Sequence, residues 1–335
     1  MNVSRKGNDF SAGISGFGQR DSTTLGLRSS DASFAQRQQQ NGSVTAIFAE
    51  DRFDITPRLT VRAGVRYTRF DGAIRESAVS PRAGAALRIG SNLVLRASFT
   101  DVYQPPPLMT VGGPVLDFAV QQGFGFLPLR GERDRSLELS AGTTAAGWNL
   151  AVSGFRNHAR NFFDHDVLGN SNIFFPLTID QVRIRALEAS AQSPLLAQLV
   201  RVHFAYSHQT VQGQGGVSGG LTDFSPPSDE RFFLDHDQRN TLSAGGALQL
   251  PRGSWVSANM AYGSGFLNGD GPQHLPGHTS FDAAAGTTLG AFMIKLSVMN
   301  VTNSRYLIDN SNTFGGTHYN EPRSVMMQLE YQFRY

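Results

Sequence analysis

Val325-Met326-Met327-Gln328-Leu329-Glu330-Tyr331-Gln332-Phe333-Arg334-Tyr335 closes the chain, and from Met327 onward it alternates without a break. Met327, Leu329, Tyr331, Phe333 and Tyr335 occupy one set of positions, and Gln328, Glu330, Gln332 and Arg334 occupy the other. Successive side chains of a strand point to opposite faces, so the segment predicts a strand with one apolar and one polar face. Chain ends fray unless something holds them. A terminal strand finishing on an aromatic residue is therefore expected to be tied into a larger sheet.

The remaining 324 positions decide what kind of sheet. Mean hydropathy is −0.24, and no stretch approaches the roughly 18 to 20 consecutive apolar residues of a spanning helix. A strand that faces lipid on one side and water on the other averages out to such a value. The 36 glycines suit turns and crowded barrel walls, and the 24 phenylalanines suit interfacial girdles. Absent cysteine fits a compartment where no disulfides are used, although cytosolic proteins also lack it. The formal charge of +2 comes from interleaved acidic and basic residues, which gives no footprint for nucleic acid. Met1 to Phe10 contain no apolar core of the kind found in a secretory leader, so the chain reads as a mature portion or a piece of a longer protein.

Period-2 alternation recurs throughout, as in Leu59, Val61, Ala63, Val65 and Tyr67 against Thr60, Arg62, Gly64 and Arg66, and in Val200, Val202, Phe204 and Tyr206 against Arg201, His203, Ala205 and Ser207. The pattern predicts about fourteen strands. Short connections at Thr56-Pro57-Arg58, Gly90-Ser91-Asn92, Ala145-Ala146-Gly147, Pro251-Arg252-Gly253 and Leu289-Gly290 alternate with longer ones near 18–42, 70–78, 105–134, 160–180, 208–238, 266–277 and 303–322. Every second connection of an up-and-down barrel emerges on the same side, and outer-membrane barrels have short periplasmic turns and long extracellular loops. A β-sandwich would not sort its loops by length, and a solenoid would repeat at a fixed period. The expected fold is all-β: one antiparallel up-and-down transmembrane barrel domain over 1–335, with 1–42 forming the first strand and a long extracellular loop. The last strand then runs toward the periplasm.

Several motifs carry a resemblance. Phe48-Ala49-Glu50-Asp51-Arg52-Phe53-Asp54-Ile55-Thr56-Pro57-Arg58-Leu59-Thr60-Val61 is similar to a strand-turn-strand of TonB-dependent outer-membrane receptors. So are Ser80-Pro81-Arg82-Ala83-Gly84, Tyr103-Gln104-Pro105-Pro106-Pro107-Leu108 and Arg135-Ser136-Leu137-Glu138-Leu139-Ser140-Ala141-Gly142. Leu234-Asp235-His236-Asp237-Gln238-Arg239-Asn240, Tyr262-Gly263-Ser264-Gly265-Phe266 and Asn300-Val301-Thr302-Asn303-Ser304-Arg305-Tyr306 follow in the family's order. The resemblance implies a 22-stranded barrel of a Gram-negative outer membrane, plugged by an N-terminal domain and driven through TonB to import a scarce ligand. This chain would supply about fourteen of those strands, the C-terminal part, without the plug or a TonB-binding segment, so energised transport by it alone is not expected. Outer-membrane lipid, the barrel-assembly machinery, and the plug and TonB system of the whole protein are the implied partners. The ligand cannot be read from the residues. Tyr331, Phe333 and Tyr335 resemble the signal that the assembly machinery reads. An even strand count also permits the first and last strands to pair and close a smaller, passive porin-like channel, because open edges in hydrocarbon strand backbone groups at several kcal/mol each.

Candidate chemistry is sparse. Asn161-Phe162-Phe163-Asp164-His165-Asp166 echoes Arg231-Phe232-Phe233-Leu234-Asp235-His236-Asp237, which makes His165 and His236 candidate metal ligands. The competing reading is an aromatic pair at the membrane interface followed by polar residues. Arg62, Arg66, Arg96, Arg201 and Lys295 alternate with the apolar face and are expected to line the lumen, together with Glu50, Glu138 and Glu330. Pro105-Pro106-Pro107, with Phe118, Phe124 and Phe126 beyond, opens a long loop suited to ligand capture. His274 and His278 have metal-like spacing only on a helix, which Pro276 disfavours. No nucleophile motif or phosphate-binding loop stands out, so no enzyme and no cofactor is expected. A barrel with catalytic residues at its rim is the remaining alternative.

Overall fold

The computed structural model describes the chain except residues 6, 29–32, 73, 108–116, 118, 119, 122, 124, 168–173, 222–229, 235, 236, 270, 311–316, 334 and 335. Its strands are β1 (Asn2–Arg5), β2 (Asn8–Arg28), β3 (Ser33–Thr56), β4 (Leu59–Asp71), β5 (Arg75–Ile89), β6 (Leu93–Gln104), β7 (Phe126–Leu127), β8 (Glu132–Ala145), β9 (Trp148–Val167), β10 (Phe174–Gln192), β11 (Val200–Leu221), β12 (Phe232–Phe233), β13 (Asn240–Leu250), β14 (Ser254–Gly263), β15 (His278–Leu289), β16 (Phe292–Met299), β17 (Leu307–Asp309), β18 (His318–Tyr319) and β19 (Ser324–Tyr331). Five of these, β1, β7, β12, β17 and β18, have two to four residues. The other fourteen form one antiparallel ladder in chain order, each pairing with the next from β2 to β19.

Short turns join β3 to β4, β5 to β6, β8 to β9, β13 to β14 and β15 to β16, all at one end of the ladder. Seven further connections, from the three-residue link between β4 and β5 upward, emerge at the other end. Left-handed residues make the tight turns: Gly90, Ala146 with Gly147, Arg252 with Gly253, and Gly290 all have positive φ. The β10–β11 link, Ser193 to Leu199, belongs to the short end as well, with Ala197 and Gln198 left-handed.

Four of the expected long loops are largely strand, 70–78 among them, since β4 runs to Asp71 and β5 starts at Arg75. β2 runs to Arg28 and β3 starts at Ser33, so most of 18–42 is paired residue by residue from Gly18↔Ser43 to Arg28↔Ser33. The same holds for much of 160–180 and 208–238. A membrane strand needs only about 9 to 11 residues, whereas β2, β3, β9 and β11 have 21, 24, 20 and 22. The excess continues the backbone ladder into water. There the apolar alternation is no longer required, and its absence is why those stretches read as loops.

Self-closure at fourteen strands is not what the structure shows. Among the described residues β19 pairs with β16, and β1 folds back as a hairpin on β2, with no ladder joining β19 to β1 or β2. Both edges of the sheet are open. All of β19 is exposed, as befits an edge strand.

Register assigns the faces, since directly opposed residues share one. Ile47, Tyr67 and Val79 are cross-strand partners and all exposed. Ala97, Leu139, Gly154 and Leu187 form another such row, with Leu139 59% and Leu187 54% exposed. Large apolar side chains left open in rows of this kind make the lipid-facing band.

Candidate functional site

The register puts Arg62, Arg66, Arg96, Arg201 and Lys295 on the face opposite the apolar band. Glu50 sits at the centre of one group there. Its carboxylate accepts Arg82 at 2.6 Å and lies 3.8 Å from Arg62. Gly64 stands between them in the ladder, and a Cβ there would come within 3.0 Å of the Glu50 Cβ and 3.1 Å of the Arg82 Nε. Glycine is what lets the bridge cross the strand. Arg96 and Glu138 line the same open cleft, of about 490 Å³. Arg66 donates to Ser15 Oγ at 3.1 Å across two strands. Arg201 and Lys295 line a second cleft, about 420 Å³, with His203, Asn259 and Asp282. Thus four of the five cations fall into two separate clefts, each of which also holds a carboxylate, while Arg66 bonds Ser15.

At the end carrying the long connections the inner face turns apolar. Ala159, Leu177, Ile179, Val182 and Leu234 are buried together, with Phe162, Ile184, Val211, Val217 and Phe232 packed against them. One ring of each Phe-Phe pair, Phe162 and Phe232, packs on that cluster and not on the membrane interface, and the Arg239 guanidinium lies 4.2 Å from the Phe233 ring centroid. His165 is exposed at the edge of this region, its backbone N–H bonded to Asp164 Oδ1 at 2.8 Å. His236 lies outside the described residues. His274 and His278 do not converge. His274 contacts Asp237 at 3.2 Å, while His278 stacks between Tyr306, 3.8 Å away, and Phe266, 5.5 Å away. No group of three or more metal-ligating side chains gathers among the described residues.

Two organising residues escaped the sequence reading. Asp237 is 1% exposed and accepts the Val211 N–H at 2.9 Å and Arg239 Nε at 2.8 Å besides meeting His274. It thereby pins the middle of β11 to the β12–β13 connection and to His274 in the loop before β15. Asn300 is left-handed and 6% exposed, and its amide donates to the carbonyls of Ser304 and Glu321 while accepting the Ser304 N–H. This closes the turn after β16 and holds the chain that returns to β19. The motifs containing both residues were visible, but burial, which gives them their role, was not.

The aromatic stack borders a third cleft, about 510 Å³, lined by Glu188, Ser207, Gln238, Tyr262, His278 and Tyr306 among others. Burial, with the Asp282 carboxylate nearby, pushes the Tyr306 phenol up from its ordinary range, so it remains a neutral donor. The tri-proline loop is described only in part. Phe118 and Phe124 lie outside the described residues, and Phe126 pairs in β7 with the end of β11. At the opposite, short-turn end, Tyr331 packs on Phe292 at 4.8 Å and edge-on against Phe333 at 4.6 Å. Tyr335 lies outside the described residues.

Comparison with known proteins addresses the fold and the family together. Among solved structures, the ferric yersiniabactin uptake receptor FyuA from Yersinia pestis superposes with a TM-score of 0.71 at 12% identity, over 99% of this chain and 52% of that one. The FrpB iron transporter from Neisseria meningitidis gives 0.68 at 15%, over 99% and 54%. The copper transporter OprC gives 0.74 at 9%, over 99% and 55%. The chain thus spans about half the length of these receptors. No curated protein sequence matches. The family described as TonB dependent receptor-like, beta-barrel matches residues 3–303, nearly the whole ladder. Proteins of this family are transport receptors of the Gram-negative outer membrane, not enzymes, so the rim-catalytic alternative falls. With its fourteen-strand antiparallel ladder, lipid-facing band and loops sorted to opposite ends, this chain belongs to the TonB-dependent receptor family and contributes to its outer-membrane β-barrel.

Proposed function

We propose that the chain is the wall of an uptake receptor for a scarce metal or metal chelate, working through TonB with the plug as its partner in the complete protein. The observation that carries this reading is the match over 3–303, together with similar structures whose names specify iron and copper transport. In this reading Arg62, Arg66, Arg96, Arg201 and Lys295 line the lumen. Each offers a charge-assisted donor to plug carboxylates or to an anionic chelate. The ring stack of Phe266, His278 and Tyr306 beside the third cleft supplies flat surfaces at the mouth. Tyr331, Phe333 and Tyr335 are the strand end offered to the assembly machinery, and the open edges, at β19 and at β2 beyond the β1 hairpin, are where further wall would pair.

The test is growth under metal limitation, iron or copper being withheld by a chelator, in cells carrying or lacking the complete gene, with TonB intact or inactivated. The expected result is gene-dependent growth on one metal that disappears without TonB. Growth that persists without TonB would indicate a passive channel and overturn the proposal.

A further inference from the structure

The outer face of β8, β9 and β10 changes character at one level. Reading β9 along that face gives Leu150, Val152 and Gly154, then Arg156, His158 and Arg160. β10 gives Ala191, Ala189 and Leu187, then Arg185 and Arg183; β8 gives Ala141, Leu139 and Leu137, then Arg135 and Arg133. Register brings these together: Arg135 faces His158, which faces Arg183, and Arg156 faces Arg185. A cleft of about 240 Å³ is lined by Phe99, Leu137, Arg135, Arg156, His158 and Arg183.

Most of this charge has no internal partner. Arg135 is bridged to Asp101 at 3.0 Å, and Arg133 donates to the Ser77 carbonyl and lies over the Tyr103 ring. Among the described residues, no carboxylate bridges Arg156, Arg160, Arg183 or Arg185, and the Arg183 Nε and His158 Nδ1 are buried without a hydrogen-bond partner.. The outer face of β4 and β5 shows the contrast, since there Asp71 binds both Arg69, at 2.8 Å, and Arg75, at 2.9 Å. Clustered guanidinium groups without carboxylates repel one another unless an external anion is present, and a planar fork is the best donor to phosphate.

We propose that Arg156, Arg183 and Arg185, with His158 between them, form a site for the phosphate headgroup of an anionic outer-leaflet lipid. The cations lie directly above the band formed by Leu137, Leu139 and Leu187, so a phosphate held by them places its acyl chains against that band. This is a lipid contact on the outer wall, separate from the lumen and from the uptake reading.

The probe is dioleoyl phosphatidic acid titrated onto the receptor purified in a neutral detergent and followed by native mass spectrometry. Phosphatidic acid is expected to stay bound, and dioleoyl phosphatidylcholine to be lost. Arg156→Gln/Arg183→Gln/Arg185→Gln should weaken retention roughly 100-fold, given the contribution of each basic residue near anionic headgroups. The matching triple Lys variant keeps the charge and should stay within about tenfold of the parent. Arg69→Gln, on the same face but paired with Asp71, should leave retention unchanged. Equal retention by the Gln triple, with its heat-modifiable migration intact, would overturn the site. Displacement of the lipid by inorganic phosphate at equal concentration would overturn the lipid as its source.

Discussion

Below Gly154 and Leu187, strands β8 to β10 carry leucine, valine and alanine outward and Ser140, Glu138, Ser153 and Glu188 inward. Above that level the same strands carry arginine outward and Ala159, Ile184 and Val182 inward. The alternation keeps its phase across this boundary through Arg160. What changes is the medium: hydrocarbon outside and water inside below it, water outside and packed loop segments inside above it. One backbone ladder serves both regions because its hydrogen bonds are satisfied strand to strand in either solvent.

The sharpest way to break this comparison is to move a charge across the boundary. Val152→Arg, on the outer face midway between the Trp148 turn and Arg156, should cost about 2–4 kcal/mol, the range for arginine facing mid-bilayer lipid, while Arg185→Leu on the same outer face should stay within about 1 kcal/mol. Denaturant titration of the receptor in lipid vesicles reads both, and equal costs would erase the boundary. Next comes the core above it. Leu177 is 6% exposed, so Leu177→Ala should lose about 2–3 kcal/mol through transfer and cavity terms, seen as a lower denaturation midpoint. Asp237→Ala should follow at about 2 kcal/mol, since it strands the Val211 N–H and the Arg239 guanidinium. Faster hydrogen exchange of the Val211 amide would be its local signature, and unchanged exchange would refute the pinning role. The smallest effect belongs to the inner face of the bilayer region. Glu50 and Arg82 remain wet, with the Arg82 side chain 43% exposed, so Arg82→Gln should change stability by under about 1 kcal/mol.

The same boundary explains what could be read from residues alone. β4, β6, β13 and β19 alternate strongly because lipid demands it, and the short turns announce themselves through Gly90, Gly147 and Gly253. The outer thirds of β2, β3 and β10 did not look like strands because neither face there is uniformly apolar. The Phe162-Phe163 and Phe232-Phe233 pairs looked interfacial for a related reason. Aromatic residues at a strand end suit a membrane interface and an extracellular core equally, and only packing separates the two. Asp237 and Asn300 illustrate the same limit for polar groups, because nothing in a one-letter string distinguishes a buried, three-partner carboxylate from a solvated one.

Taken by itself, the order of residues determined strand number, strand direction, loop sidedness and which face of each bilayer segment meets lipid, because a period of two against a hydrocarbon boundary is a local constraint. Tertiary structure decided the rest: the length of the strands beyond the bilayer, the two open edges, the separation of the lumen cations into distinct clefts, and the meeting of Arg156, His158, Arg183 and Arg185 on one outer patch. Those depend on register between strands tens of residues apart, and cross-strand pairing brings together side chains whose spacing along the chain carries no signal.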